Sequence, residues 1–354
     1  MMLNFYPGPA KVYPEVRTYM TDAYDQGILG APHRGEQFVQ LSRATVGLIK
    51  RKLNIPEDYY IFFTSSATEC WEILIQSLTK HKSYHIYNGS FGEKWCDYAK
   101  KLRPKSEGIA FDLNEPMPVE QLNISADTEL ICFTQNETSN GTQVSATTIL
   151  NLHNRYRDTL IAVDATSSMA GLNLKIIKAD IWFASVQKCF GLPSGLGVMV
   201  CSPRAIFRAK QIAERGHYNS LVGMYEKMLN YQTTHTPNVL GIYLLRRMLE
   251  DRPFIKGLEQ ELVDRSAMLY EFFGQLPDMQ LLVENEEVRS KTVVAIQASE
   301  RLVDDIKKRA LHHNIRLGNG YGPWARTTFR VANFPAILNE EYEELKRFFL
   351  HYYS

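Results

Sequence analysis

The chain has 354 residues, of which 45% are hydrophobic and 22% are charged, and its formal net charge at pH 7 is +1. This composition is typical of a globular protein and excludes a disordered or fibrous chain. The balanced charge offers no basic excess to nucleic acid or to an anionic membrane, and no apolar run approaches the roughly 18 residues of a membrane helix. The length predicts two domains.

The N-terminus and the cysteines indicate where the protein works. The opening MMLNFYPGPAKVYPE has neither the basic region nor the continuous apolar core of a secretory signal. The five cysteines are odd in number and scattered, without C-x-x-C, so no disulfide framework is expected. The histidine pairs 81/85 and 312/313 share no helical face. We therefore predict a cytoplasmic protein that binds no metal, nucleic acid or membrane.

Short apolar runs alternate with helical patterns through the first two thirds of the chain. Such alternation predicts an α/β layer with a mainly parallel sheet, in which ligands bind beyond the carboxyl ends of the strands. The predicted strands are 59–63, 83–87, 129–133, 160–163, 181–184 and 197–201, and the predicted helices are 68–78, a stretch ending near 101, and 147–157.

The pattern changes after about residue 253. A long helical pattern is followed by a strand, a helix, a glycine-rich loop (GNGYG), a strand and a final helix, which is typical of an α+β domain. We therefore predict a large domain over 1–252 and a small C-terminal domain over 253–354. The elements of the second are a helix over 254–273, a strand over 292–296, a helix over 302–312, a strand over 328–331 and a helix from 339.

Two charged residues stand at the ends of apolar strands. Asp164 ends one run, and Lys188 follows another within SVQKCFGLPSG. Either residue alone could cap a turn or be solvated. As a pair they fit pyridoxal 5'-phosphate (PLP), which needs a lysine for its Schiff base and an acid against its pyridine nitrogen. The sequence therefore predicts that Lys188 and Asp164 are catalytic.

The segment TSSATE (64–69) lies between a predicted strand and a predicted helix. Small residues there let backbone N–H groups at the helix N-terminus face an anion such as a phosphate. The same segment predicts a helix cap at Ser65 or Ser66, with Glu69 completing a capping box. Both interpretations use the start of a helix, so they are compatible.

Two further loops could complete a cofactor pocket. Phe91, in NGSFG, is a candidate to stack on a planar ring, although its spacing alone favours simple core packing. Asn136, Glu137 and Thr138 follow another predicted strand. They could donate hydrogen bonds to ring substituents or form a plain polar turn.

Seven segments, in order along the chain, match one known family. They are FYPGPA (5–10), PHRG (32–35), NETSNG (136–141), VDATSS (163–168), SVQKCFGLPSGLGVMV (185–200), HTPNVLGIYLL (235–245) and, more weakly, FRVANFPAILNEE (329–341). On these segments the chain resembles the class V, PLP-dependent aminotransferases, and PHRG points to their phosphoserine branch. The resemblance implies the fold-type-I architecture: a large α/β domain and a smaller α+β domain, with the first roughly 15 residues packing on the small domain and the site.

The resemblance implies a role for residues around the cofactor ring. Lys188 would form the Schiff base and carry the proton between the substrate Cα and the cofactor C4′. Asp164 would bind the pyridine nitrogen, and Thr138 would contact the ring hydroxyl. Phe91 stands where the family has a stacking tryptophan.

The resemblance also implies how the cofactor phosphate is held. Gln187 would bind it together with the backbone of Ala67 and Thr68. Thr236 would add a contact from the partner subunit of a homodimer. His235 stands beside it where the family usually has asparagine, and both side chains can donate a hydrogen bond.

For the substrate, the resemblance implies that Arg330 clamps the α-carboxylate and that His33 and Arg34 meet the distal acidic group from the other subunit. The active site would then be shared across the dimer. Thr68 departs from the phosphoserine branch, which has an arginine there for the substrate phosphate. The C-terminal histidine–arginine pair of that branch is also unclear here, where Arg316 or Arg326 stands without matching context.

The implied activity is a ping-pong transamination between L-phosphoserine and 2-oxoglutarate in serine biosynthesis, with small-molecule amino acid and 2-oxo acid substrates. Because the arginine near Thr68 is missing, an alternative is a class V aminotransferase of the alanine–glyoxylate or serine–pyruvate type. A third hypothesis is a degenerate PLP fold that serves binding or scaffolding. The intact pair of Asp164 and Lys188 argues against it.

Overall fold

The computed structural model describes residues 2–353. Within them the strands form a seven-stranded sheet, a five-stranded sheet and a two-stranded ribbon. In chain order the strands are β1 (Leu3–Phe5), β2 (Tyr60–Thr64), β3 (Ser83–Tyr87), β4 (Glu107–Ala110), β5 (Leu130–Thr134), β6 (Asn136–Glu137), β7 (Thr142–Gln143), β8 (Leu160–Asp164), β9 (Ile181–Ser185), β10 (Gly197–Cys201), β11 (Gln280–Leu281), β12 (Val293–Gln297), β13 (Ile315–Asn319) and β14 (Thr328–Ala332).

The helices pack on these sheets. Several begin after a serine whose hydroxyl accepts a backbone N–H of the first turn, which satisfies a donor that the helix itself leaves free. Between residues 2 and 353, no helix is both long and apolar enough to cross a membrane. The helices are α1 (Val16–Asp25), α2 (Glu36–Leu53), α3 (Ala67–Leu78), α4 (Ser90–Leu102), α5 (Ala146–Arg155), α6 (Pro203–Ile212), α7 (Leu221–Met228), α8 (Val239–Asp251), α9 (Ile255–Gly274), α10 (Glu300–His312) and α11 (Asn339–Tyr353).

The seven-stranded sheet has the order β2-β10-β9-β8-β5-β3-β4. Only β10 runs antiparallel to its neighbours, and the other pairs are parallel. Every residue of β8, β9 and β10 is buried, as expected for strands covered on both faces. Continuous apolar runs therefore formed the strands, and the predicted α/β fold with a mainly parallel sheet is confirmed.

The five-stranded sheet has the order β1-β13-β14-β12-β11. β1 pairs in parallel with β13, while the remaining pairs are antiparallel. This pairing joins the start of the chain to a sheet built otherwise from its last quarter. The division into domains at 252/253 stays a prediction.

Among the differences from the sequence analysis, two concern loops. The loop after residue 135 contributes β6 and β7, which form an antiparallel ribbon. The glycine-rich loop begins two residues later than its pattern indicates, because Gly318 and Asn319 belong to β13. Ile315 and Leu317 are buried whereas Arg316 is exposed, so this strand alternates over too few residues to be found by periodicity.

Candidate active site

A cavity of about 220 Å³ opens where β5, β8 and β9 end. Asp164 and Ser185, the last residues of β8 and β9, face it, which is where an open α/β sheet binds ligands. The other wall comes from residues 6–9, which follow β1, from Tyr321 in the loop after β13, and from Arg330 of the five-stranded sheet. A larger depression of about 1300 Å³ runs along α10, but it is an open groove that contains none of the predicted site residues.

Lys188 lies buried at this cavity, three residues beyond β9. Its Nζ donates to Thr138 Oγ1 at 2.7 Å and to Ser167 Oγ at 2.9 Å, and it lies 5.3 Å from the centroid of the Phe91 ring. Burial lowers the pKa of the Lys188 amine to about 8, against the opposing attraction of Asp164. The amine therefore loses its proton near pH 8, well below an ordinary lysine, and a minor fraction of it is already neutral and nucleophilic at neutral pH.

The N-terminal segment packs directly on the Lys188 side chain. A Cβ atom added at Gly8 would lie 3.0 Å from Lys188 Cε. Gly8 also has a φ of +153°, which side chains of L-residues rarely adopt. Glycine at position 8 thus allows residues 6–9 to close one side of the cavity.

Asp164 is 3% exposed, and both of its carboxylate oxygens accept an N–H. Oδ1 accepts the backbone N–H of Thr166 at 2.9 Å, and Oδ2 accepts the indole N–H of Trp71 at 3.1 Å. Burial raises the pKa of Asp164, while these hydrogen bonds and the Lys188 charge act in the opposite direction. The carboxylate is held in one orientation at the cavity wall.

The start of α3 is capped nearly as predicted. Ser66 is the N-cap, and its hydroxyl accepts the Glu69 N–H at 3.1 Å. The Glu69 carboxylate accepts hydrogen bonds from the backbone N–H and the hydroxyl of Ser65, at 2.6 and 2.7 Å, rather than from the backbone N–H of Ser66. The reciprocal contact of the capping box is therefore one residue earlier than expected.

Three of the residues predicted to bind the cofactor phosphate line the same cavity. Ala67 and Thr68 open α3 there, and Gln187 lies beside Lys188. The Ala67 N–H donates to Ser185 Oγ at 2.8 Å, so in this structure a hydroxyl at the end of β9 occupies that donor. Ser185 was not singled out from the sequence.

Phe91 forms part of the cavity wall, where its ring stacks on Tyr321 with centroids 5.1 Å apart and planes 25° apart. Lys94 Nζ donates to the Tyr321 hydroxyl at 2.5 Å. Tyr321 belongs to the glycine-rich loop. This loop, which follows β13 of the five-stranded sheet, thus brings an aromatic side chain against α4.

Glu137 has a different place from the one considered in the sequence analysis. It is buried and does not line the cavity, whereas Asn136 and Thr138 on either side do. Its carboxylate accepts the N–H groups of Phe91 at 3.2 Å and Gly92 at 3.1 Å. These are free donors in the first turn of α4, so Glu137 caps a helix instead of binding a ring substituent.

Arg330 lies in the middle of β14, 3% exposed, at the cavity. Its Nε donates to the carbonyl oxygen of Asn319 at 2.7 Å, and Nη1 donates to that of Thr138. Burial lowers its pKa to about 10. Among the side chains of residues 2–353, no carboxylate forms an ion pair with it. Within residues 2–353 its hydrogen-bond acceptors are two carbonyl oxygens, and its other contact is the Tyr321 ring at 5.6 Å, so this buried guanidinium suits a substrate carboxylate.

Four predicted site residues do not reach this cavity in the single chain: His33, Arg34, His235 and Thr236. Arg34 and Thr236 are exposed, and His33 and His235 are half-buried. His33 Nδ1 lies 3.4 Å from Thr236 Oγ1. The fold brings these two together on its surface, and their action in a partner's site stays a prediction.

Neither arginine considered for the C-terminal loop lines the cavity. Arg316 is exposed on β13, and Arg326 is exposed and pairs with Glu300 at 2.7 Å. The structure thus gives neither one a place beside Lys188.

Comparison with known proteins identifies the family. The model of the class-V aminotransferases matches residues 3–321. The chain belongs to the class-V aminotransferase family. It is 26% identical over 352 residues to the phosphoserine aminotransferase of Rhodococcus opacus (strain B4), covering 96% of this chain and 92% of the relative. It is 27% identical over 354 residues to that of Corynebacterium glutamicum (strain R), covering 96% and 91%.

Solved structures agree with this aminotransferase assignment. A phosphoserine aminotransferase from Cytophaga hutchinsonii superposes with a TM-score of 0.94 at 31% identity, covering 99% of this chain and 98% of that one. An alanine–glyoxylate aminotransferase from Nostoc sp. has a TM-score of 0.84 at 19% identity, covering 100% and 95%, which shows the shared fold. The fold-type-I prediction is therefore confirmed.

The cofactor of this aminotransferase is PLP, and the cavity suits it. Besides the Lys188 amine and the Asp164 carboxylate, three buried polar atoms at the cavity have no hydrogen-bond partner within the described chain. Leaving such atoms unsatisfied costs free energy, so a ligand with several polar substituents fits here. They are Thr134 Oγ1, Thr166 Oγ1 and Asn136 Nδ2.

The sequence analysis missed several residues of this aminotransferase site. Ser167, a partner of the Lys188 amine, stands within the VDATSS segment. The sequence analysis therefore included this residue but assigned it no role. Trp71 and Tyr321 come from a helix and a loop whose orientation toward the cavity no local pattern reveals. Tyr6 and Gly8 lie within the FYPGPA segment, which was predicted only to pack near the site.

Proposed function

We propose that this PLP-dependent aminotransferase moves the amino group of L-phosphoserine to 2-oxoglutarate, a reaction of serine biosynthesis in the cytoplasm. The observation that carries the proposal is the buried Arg330 guanidinium at the cavity that holds the Lys188 amine and the Asp164 carboxylate. These groups can anchor and process an α-amino acid. The names of the curated relatives support phosphoserine among such acids.

Each residue has a role that follows from its chemistry. PLP, when bound, supplies a ring that withdraws electrons and stabilises negative charge at the substrate Cα. Lys188, as a neutral amine, would take the proton from the substrate Cα and carry it toward C4′ of the cofactor. Asp164 would hold a proton at the pyridine nitrogen. Thr138 contacts the ring hydroxyl, and Arg330 orients the substrate through two parallel hydrogen bonds to its α-carboxylate.

The cofactor is held at two further places. Phe91 packs on the ring face, and Gln187 with the backbone of Ala67 and Thr68 binds the phosphate at the start of α3. The helix N-terminus favours this placement because its free N–H groups and its dipole both attract an anion. Ser185 would then exchange its bond to the Ala67 N–H for one to the phosphate.

The distal phosphate of the substrate needs cations that this cavity does not itself supply. We propose a homodimer in which His33 and Arg34 of each subunit enter the partner's active site, with His235 and Thr236 next to the cofactor phosphate there. The exposure of Arg34 and Thr236, and their position outside their own chain's cavity, support this arrangement. A separated subunit would then have an incomplete site.

One observation favours a second candidate. Thr68 lines the cavity where the phosphoserine branch has an arginine, so one positive charge for a dianionic phosphate is missing. An aminotransferase of the alanine–glyoxylate or serine–pyruvate type, with a smaller amino acid, needs no such charge.

The deciding measurement is the visible absorbance of the purified, PLP-loaded protein before and after single amino acids are added. Under the proposal, L-phosphoserine and L-glutamate bleach the yellow band and L-alanine does not. Bleaching by alanine or serine, with none by phosphoserine, would assign the enzyme to the second type. A colourless protein that takes up no added PLP would overturn both and favour a binding or scaffolding role.

A further inference from the structure

Trp71 contacts the Asp164 carboxylate, although neither the motifs nor the family resemblance singles Trp71 out. It lies on α3 one turn after Ala67, so both residues are on the same face of the helix. Its ring lines the cavity and is 5% exposed. Its indole N–H donates to Asp164 Oδ2 at 3.1 Å. The helix whose first turn faces the proposed phosphate position thus also holds the carboxylate.

We propose that Trp71 is a positioning residue for Asp164: its indole N–H keeps the carboxylate ionised and aimed at the pyridine nitrogen of the cofactor. The inference deepens the proposed function, because it rests on the role given there to Asp164. It does not depend on which amino acid is the substrate.

The surroundings of Asp164 explain why this donor matters. The carboxylate is buried, and burial disfavours its charged form. An N–H that points at a carboxylate stabilises the charge without supplying a competing proton, because an indole does not titrate in this range. The second donor, the backbone N–H of Thr166, is two residues along the chain, whereas Trp71 is 93 residues away. The hydrogen bond from Trp71 therefore fixes the Asp164 carboxylate relative to α3, which is distant from it in the chain.

The aromatic neighbours of Trp71 limit the orientations that its ring can adopt. Its ring stacks on Trp95 of α4, with centroids 6.3 Å apart and planes 14° apart. Tyr98 lies on the same helix, 6.2 Å from Trp71 between centroids. A donor held in place before the ligand arrives loses little entropy when it acts.

Trp95 provides a matched control. It is fully buried and stacks on the same ring, but its indole nitrogen has no hydrogen-bond partner in the described part of the chain. Trp71→Phe and Trp95→Phe remove the same atoms and leave an aromatic ring in the same packing layer. The first change also removes a hydrogen bond to a carboxylate, and the second does not.

The test compares the dissociation constant of PLP, and the pH dependence of the absorbance of bound PLP, in the wild type and the two variants. A hydrogen bond to a charged group corresponds to a roughly 10- to 100-fold change in an equilibrium constant. We expect Trp71→Phe to weaken PLP binding by about that factor and to shift the pH midpoint of the absorbance change. Trp95→Phe should stay within about threefold of the wild type in binding and keep its midpoint.

A double-mutant comparison strengthens the test. In an Asp164→Asn background, Trp71→Phe should add little further loss of PLP binding, because the two residues act through one contact. Full additivity would overturn the proposal. So would an unchanged midpoint with unchanged binding in Trp71→Phe, or an equal loss in Trp95→Phe, which would assign the effect to ring packing.

These outcomes can be distinguished from a failure of the proposed function. PLP that binds normally to the wild type without any response to phosphoserine would remove the proposed substrate and leave the Trp71 comparison valid. Wild-type protein that binds no PLP at all would overturn both.

Discussion

Two groups among the predicted site residues differ in how completely one chain assembles them. The inner group lies buried around a single cavity and consists of Lys188, Asp164, Thr138 and Arg330. The outer group is exposed or half-buried outside that cavity and consists of His33, Arg34, His235 and Thr236. Burial shifts the pKa values of Lys188, Asp164 and Arg330, and the polar atoms of the inner group have defined hydrogen-bond partners. The outer group includes the Arg34 charge but no enclosing cavity, which is expected if a second subunit completes it.

Lys188→Ala should have the largest effect. It removes the amine that moves the Cα proton. Because catalytic residues that act as a unit lose most of the rate enhancement when one of them is removed, we expect turnover to fall roughly 10⁴-fold or more. The fold should survive, since the change removes a costly buried amine. The loss of turnover is measured in the half-reactions with single amino acids, and the fold is checked by circular dichroism. Exposed Lys175→Ala is the control, and an active Lys188→Ala protein would contradict the assignment.

Asp164→Ala tests the other catalytic member of the inner group. Without the carboxylate nothing holds a proton at the pyridine nitrogen, so turnover should fall roughly 10²- to 10⁴-fold. The absorbance of bound PLP should change with it. Near-normal turnover in this variant would mean that the buried carboxylate serves packing alone.

Arg330→Lys tests the substrate anchor while keeping its charge. Lysine cannot make two parallel hydrogen bonds to a carboxylate, and it also loses the bonds to Asn319 and Thr138. We expect kcat/KM to fall roughly 10- to 100-fold for every amino acid substrate, mainly through KM. A loss confined to phosphoserine would place Arg330 at the distal phosphate instead.

Arg34→Ala tests the outer group and should act selectively. We expect kcat/KM for phosphoserine to fall about tenfold and that for alanine to stay within about twofold, because only the first carries a distal phosphate. A similar loss for both substrates would contradict this role.

Mixing the two impaired subunits tests whether that arginine acts across the proposed dimer. If Lys188→Ala and Arg34→Ala chains are unfolded and refolded together, half of the dimers are mixed and each has one intact site. About a quarter of wild-type activity on phosphoserine should return. If Arg34 served its own chain, no activity beyond that of the separate variants would appear.

The smallest expected effect is on pH dependence. The pKa of Lys188 is about 8 in the folded chain against 10.5 for an ordinary lysine, so between these values the folded state binds fewer protons than the unfolded state. The free energy of unfolding of the PLP-free protein should therefore rise with pH across this window. Urea unfolding at pH 7.5, 9 and 10.5 measures it, and Lys188→Met should lose this part of the slope. The same slope in the variant would assign it to other groups.

The inner group could be found from the sequence because its signals are local. A fully buried strand is a continuous apolar run, and a charged residue at its end, such as Asp164, interrupts that run visibly. Lys188 is marked in the same way, three residues past its strand. The Ser66 cap follows from the residues at one helix start. The family resemblance then assigned roles that spacing alone left open.

Contacts between distant segments were decided only by the tertiary structure. Trp71 meets Asp164 across 93 residues, and Arg330 meets Thr138 across 192. Glu137 reads as a polar loop residue, yet it caps α4, because the fold brings that helix start against it. A sequence pattern records whether a side chain is buried or exposed, since burial follows the period of its own element. Which partner it meets depends on how elements pack, and that information is spread over the whole chain.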